Sequence, residues 1–160
     1  SYESLIFEFR GYKVMVDIDL ASLYETETKV LKQQVKRNII RFPPDFMFEL
    51  TKEEAIQLVT NCDRLSSLKH SNVNPMVFTE QGVAMLSSVL RSNKAIEMNI
   101  EIMRAFTRYR AYLVDNKDIS KKLGELDDKI NRVFKYLLDK IQGFESNKQG
   151  DKSNKIGYKK

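Results

Sequence analysis

The sequence predicts an α+β fold: a small antiparallel sheet with several helices including a helix-turn-helix-like pair, followed by a long carboxy-terminal coiled-coil helix. Three observations predict it. Short apolar runs bounded by turn residues read as strands. Asp17, Thr28, Thr51 and Thr79 each stand before an amphipathic stretch, where a side-chain oxygen can cap a helix. From Ile119 to Leu137 the apolar residues are spaced 4, 3, 4, 3, 4, which is a heptad seam.

Leu5 to Arg10 and Tyr12 to Val16 flank Gly11, the pattern of a hairpin. Asp17 is the expected cap of a short helix, Ile18 to Tyr24. Thr28 is the expected cap of the next, running to about Ile40. Pro43 and Pro44 end it, since proline supplies no donor and disfavours helix in the residue before it. Phe46 to Leu50 reads as a strand. Thr51 and Glu54 form a capping box for a helix from Lys52 to about Thr60. Residues 61–75 are polar and read as a loop. Met76 to Phe78 is a further strand, and Thr79 caps a helix with Val83, Leu86 and Leu90 on one side. Ser92-Asn93 recaps. A long helix then runs to about Leu113, with Ile96, Ile100, Met103, Phe106 and Leu113 as its apolar stripe.

The chain of 160 residues is long enough for one domain and an appendage. Its apolar share, 42%, is enough to build a core and excludes wholesale disorder. No apolar run approaches the ~18 residues of a membrane span, and no secretory leader is visible. One cysteine, Cys62, excludes an intramolecular disulfide and a cysteine-based zinc cluster, and one histidine, His70, excludes a histidine-rich metal site. A cytoplasmic protein is expected.

The formal charge of +5 is unevenly spread. Residues 1–27 are net acidic. Between Thr28 and Pro44 stand five cations, Lys29, Lys32, Lys36, Arg37 and Arg41, and no acid. At 100° per residue Leu31, Gln34, Val35 and Asn38 share one side of this helix, and Lys29, Lys32, Gln33 and Lys36 fall within about 100° on the other. Leu31 and Val35 then seat the helix on the core while the cations face outward. That chemistry suits a major groove: lysine neutralises phosphate or contacts guanine, and glutamine pairs with adenine. Thr28 at the amino end can donate to a phosphate. The expected DNA-facing set is Thr28, Lys29, Lys32, Gln33, Lys36, Arg37 and Arg41. The ordinary alternative is a solvated helix face, and the acids of the turn, Glu25 and Glu27, count against the simplest docking. Arg64, Lys69 and His70 read as solvated loop charge, and Arg104, Arg108 and Arg110 as a mixed surface network with Glu97 and Glu101.

Enzyme chemistry finds little support. Cys62 and His70 lie eight apart with no orienting acid nearby. Glu53 and Glu54 are adjacent, so on a helix they diverge by about 100°. No phosphate loop, dinucleotide fingerprint or zinc-protease motif occurs. A non-enzyme with no cofactor and no metal is expected.

Three groups of runs, in order, resemble a known family. They are Arg10 to Tyr24 (RGYKVMVDIDLASLY), the centre with Thr28-Lys29, Val35 to Asn38, Arg41 to Pro43 and Asp45 to Phe48, and the end with Phe78 to Leu90 (FTEQGVAMLSSVL) and Ile102 to Phe106. They are similar to the "ORF six N-terminal" domain of the KilA-N/Bro-N group from phages and integrated elements, over about residues 5–113. The resemblance implies a small α+β DNA-binding domain at the amino end of a phage- or mobile-element-derived transcriptional regulator or antirepressor. Glu25-Thr26 replaces the glycine and valine usual after the tyrosine, and Leu68 to Asn72 replaces a loop usually rich in glycine and arginine. Both departures fall where DNA contacts are expected, and bear on affinity more than on fold. A protein-binding antirepressor module with little specific DNA binding is the alternative.

The expected organisation is a DNA-binding domain over 1–114, a coiled-coil helix over 115–142 and a disordered basic tail over 143–160. Ile119, Leu123, Leu126, Ile130, Val133 and Leu137 form the seam, whose expected partner is a second copy of the chain. Phe134, Leu138 and Ile141 widen it, which leaves packing on another regulatory protein, or folding back on the domain, as alternatives. Lys140 at the next seam position suggests where a zipper ends.

Overall fold

The computed structural model describes the backbone of residues 1–157 and the side chains of residues 1–144. The chain divides into two compact units, Ser1–Ala111 and Tyr112–Lys160.

The first unit is built on four antiparallel strands. β1 (Phe7–Phe9) and β2 (Tyr12–Val16) form the hairpin, β3 (Met47–Glu49) and β4 (Met76–Phe78) follow, and the sheet order is β1-β2-β4-β3. The hairpin turn is Arg10-Gly11, with φ of 54° and 79°. Positive φ at both central residues matches the right-handed twist of the strands. The register pairs Phe9 with Tyr12, Met15 with Phe78 and Phe48 with Val77. Strand side chains alternate between faces, so Met15, Met76 and Phe78 enter one core while Val14, Val16 and Val77 enter another.

The larger core is covered by four helices: α1 (Asp17–Leu23), α2 (Thr28–Arg37), α4 (Glu80–Leu90) and α5, which begins at Asn93. It contains Leu20, Leu31, Val35, Val83, Leu86, Ile102 and Phe106, each at most 1% exposed. The smaller core lies under α3 (Lys52–Asn61) and a 3-10 helix, Asp63–His70, through Leu50, Leu58 and Leu65. The expected polar loop at 61–75 is therefore helical over Asp63–His70. Leu65 and Leu68 are three apart, the repeat of a 3-10 helix, so both turn toward the sheet.

Local chemistry sets the element ends. Thr51 Oγ1 accepts from the Glu54 amide and Glu54 returns to the Thr51 amide, the expected capping box. Glu54 also holds Arg10, whose guanidinium lies 4.6 Å from the Phe48 ring centre. Arg10 and the Thr51 amide together pull the Glu54 carboxyl down to about 2. Thr79 accepts from the Gly82 amide and donates to the Asp45 carbonyl. A Cβ on Gly82 would stand 1.9 Å from the Phe46 carbonyl oxygen, so only glycine lets α4 approach the chain before β3. Tyr24 donates to Asn99, which donates 3.0 Å to the Val83 carbonyl, joining α1, α5 and α4.

Several expectations are corrected. Val16 and Glu27, not Asp17 and Thr28, occupy the cap positions of α1 and α2, and neither makes a side-chain cap. α2 stops at Arg37, where Asn38 donates to the Gln34 carbonyl, and a separate 3-10 turn holds Ile39–Arg41. Ile96 and Ile100 are half exposed; Phe106 is buried and Met103 packs against the core as expected, and α5 also buries Ala95, Met98, Ile102 and Ala105. The alanines let the helix pack close, a preference hidden when only large apolar residues are counted. Arg104 pairs with Glu101 as expected, but Arg108 pairs with Glu3 and Arg110 with Glu80.

The second unit is the remainder of α5 (Asn93–Gly157). Its seam residues lie on one continuous helix. The tail expected over 143–160 lies, beyond Phe144, outside the described side chains.

Candidate nucleic-acid interface

α2 is a ten-residue helix with Lys36 and Arg37 in its last turn, where cations suit the helix dipole. Leu31 and Val35 are fully buried, so the opposite side must face out. Lys29, Gln33 and Lys36 are exposed there, and Thr28 is half-buried at the amino end. Together with Lys32, these residues form one wall of a cleft of about 520 Å³. Leu68, Ser71, Val73 and Pro75 form the other wall, with Asp17 and Ile18 also lining it.

Lys32 departs from the expectation. Its side chain is 15% exposed, its Nζ lies 3.2 Å from Asp17 Oδ2, and it donates 2.9 Å to the Asn74 carbonyl. Asp17 is 1% exposed. Its Oδ1 accepts from the Ile18 amide at 2.7 Å and its Oδ2 from the Met76 amide at 2.9 Å. A buried carboxylate needs such donors and a counter-ion. Lys32 therefore ties α2, α1 and the segment before β4 together, and its charge is already neutralised.

The other cations are dispersed. Arg37 and Arg41 are exposed and line no part of the cleft, and Arg41 donates 3.3 Å to Ser88 of α4. Arg64 is not free loop charge, because it pairs with the buried Asp19. Burial pushes the Asp19 carboxyl up, and the Arg64 hydrogen bond pulls against it. Lys69 and His70 are exposed at the end of the 3-10 helix. Glu25 and Glu27 stand exposed at the amino end of α2. The face thus runs from acidic before its first turn to cationic in its last.

Sequence reasoning missed Asp17 as the organiser of this site and the 71–75 wall. A signal existed: Asp17 and Asp19 alternate with Val16, Ile18 and Leu20, so acids share a short segment with core residues. Acids so placed need buried partners, but which cations serve is set by the fold. Among the described residues no group of acidic, histidine and cysteine side chains has the arrangement of a metal site. None of the described helices is long and apolar enough to cross a membrane.

The family model of the ORF6N domain matches residues 4–89, more than half of the chain. No curated protein and no solved structure matches the chain. ORF6N domains are phage-type amino-terminal domains of the KilA-N/Bro-N type. The hairpin, α1, α2, β3, α3, β4 and nearly all of α4 fall within the match, so the chain belongs to the ORF6N domain family.

Proposed function

We propose that this phage-type regulatory domain binds DNA through the outward face of α2, as the DNA-binding part of a transcriptional regulator or antirepressor. The observation that carries the reading is the acid-free stretch from Thr28 to Pro44. Its Lys29, Gln33 and Lys36 are exposed with Leu31 and Val35 buried beneath them, and Arg37 and Arg41 are exposed beyond that face. Lys29, Lys36, Arg37 and Arg41 neutralise phosphates, and Gln33 is the residue suited to a base edge. Lys32 positions the face without touching the ligand. The carboxy-terminal helix joins two such chains, which doubles the phosphate contacts.

The test is binding of the full chain to a random duplex pool, followed by anisotropy as salt is raised. Affinity falls steeply with salt, by roughly one logarithmic unit of slope per phosphate contact. A Lys29/Lys36/Arg37 triple alanine variant loses most of the slope. Unchanged binding by that variant would remove this face from the mechanism. Capture of a protein partner is the second reading, favoured by the apolar wall of the cleft at Leu68, Val73 and Pro75. It requires a stable protein complex and only feeble, sequence-blind DNA binding.

A further inference from the structure

Among the described residues, the second unit leaves an apolar stripe uncovered. Ile119, Leu123, Leu126, Ile130, Val133 and Leu137 are each more than half exposed. Ile130, Val133, Phe134 and Leu137 line one shallow recess together with Lys129. We propose that a second copy of this chain covers the stripe as a parallel, in-register, two-stranded coiled coil. This deepens the reading of the helix as the self-association element.

The spacing fixes the heptad positions. Leu123, Ile130 and Leu137 occupy the first core position, and Ile119, Leu126 and Val133 the second. Asn116 then falls on the first core position of the preceding heptad. In a parallel, in-register pair Asn116 faces Asn116 and the two amides satisfy each other. Leu123 and Leu137 at the first core position with Ile119 and Val133 at the second would by themselves favour more strands, and the asparagine pair selects two strands and one register against that tendency.

The flanks choose the orientation. Lys122 precedes one heptad and Asp127 follows five residues later, so in the parallel pair Lys122 of each chain meets Asp127 of the other. Lys129 meets Phe134 of the second copy, where its methylene stem covers the ring and its ammonium stays in water. The antiparallel overlay of the same seam sets Ile119 against Leu137. It brings Asp127 against Asp127 and Lys129 against Lys129, like charges on both flanks, and sets Asn116 against Lys140. Lys140 falls on the second core position at the far end. Its Nζ lies 5.6 Å from the centre of the Tyr136 ring in the same chain, which draws the cation off the seam where the zipper stops.

The experiment uses the full chain in a Cys62→Ser background with a spin label on Lys117→Cys. Sedimentation gives the mass, and pulsed dipolar resonance gives the distance between labels. The expected result is a mass of two chains with labels about 20 Å apart, the width of a helix pair with its probes. Antiparallel pairing would set residue 117 opposite residue 139 and part the labels by about 33 Å or more along the axis. A single-chain mass overturns self-association and leaves the DNA reading standing. A three-chain mass, or two chains with the long distance, overturns the arrangement. Ile130→Asp, on an exposed position, is expected to weaken association at least about tenfold. Unchanged association by that variant overturns the seam.

Discussion

The Lys32 ammonium and the Asp17 carboxylate form a buried ion pair at 3.2 Å, beneath the surface on which Lys29 and Lys36 are exposed. Three lysines that share a helix face on a wheel therefore divide into one structural and two solvent-facing groups. Lys32→Ala is expected to destabilise the first unit by about 2–3 kcal/mol, because Asp17 keeps two amide donors but loses its counter-ion. Lys29→Ala and Lys36→Ala are expected to leave stability within about 0.5 kcal/mol and to lower the salt slope of DNA binding. Thermal melts beside salt titrations check the division. A Lys32→Ala variant of full stability and reduced slope would reverse the assignment.

Glu54 joins the hairpin to α3 through Arg10 and the Thr51 amide, and its carboxyl sits at about 2 against an ordinary 4.5. A carboxyl lowered on folding adds stability above its unfolded value, and that stability is lost as pH falls. Its contribution is full above about pH 4.5 and fades toward pH 2. Asp19 runs the other way, since burial raises it and its contribution is lost as pH rises through the folded value. Glu54→Gln is expected to lower the melting temperature at pH 7 and to narrow the gap from wild type at pH 3. A gap of equal size at both values would show that the charge contributes nothing.

Gly82 sits where a Cβ would penetrate the Phe46 carbonyl, a backbone atom that cannot swing aside. Gly82→Ala is expected to destabilise by about 3 kcal/mol or more, despite alanine's better helix propensity. Denaturant unfolding measures it. A neutral or stabilising result would mean that α4 and the Phe46 segment separate easily.

Glu25 closes α1 with φ of 54°, the left-handed region that favours glycine. The Thr26 amide donates to the Ala21 carbonyl and the Glu25 amide to the Ser22 carbonyl, the paired bonds of a left-handed helix stop. Glu25→Gly is expected to stabilise by about 0.5–1 kcal/mol, the relief of strain exceeding the added freedom of the unfolded chain. The exposed Lys94 pair that it removes, at 3.5 Å, contributes little. DNA binding is expected to tighten as well, since an acid leaves the amino end of α2. Weaker binding would place Glu25 in contact with the ligand.

The elements that carried their own local chemistry were legible. Gly11 between two apolar runs announces a hairpin because glycine tolerates a turn's positive φ, although Arg10 shares that turn, and Thr51 with Glu54 announces a helix start because the two satisfy each other. Leu31 and Val35 were identifiable as the buried side of α2 because the helix period alone separates them from the lysines. What stayed hidden depends on distant partners. Ile96 and Ile100 fit a helical stripe as well as Ala95 and Met98 do, and only the neighbours of α5 decide which stripe is covered.

Sequence alone determined the α+β class, the acid-free helix and the heptad seam, because turn chemistry, charge and period are properties of adjacent residues. The tertiary structure decided which cations are available. Asp17 and Lys32 are fifteen positions apart, Asp19 and Arg64 forty-five, and each pair meets only because the fold buries a carboxylate that must find a counter-ion.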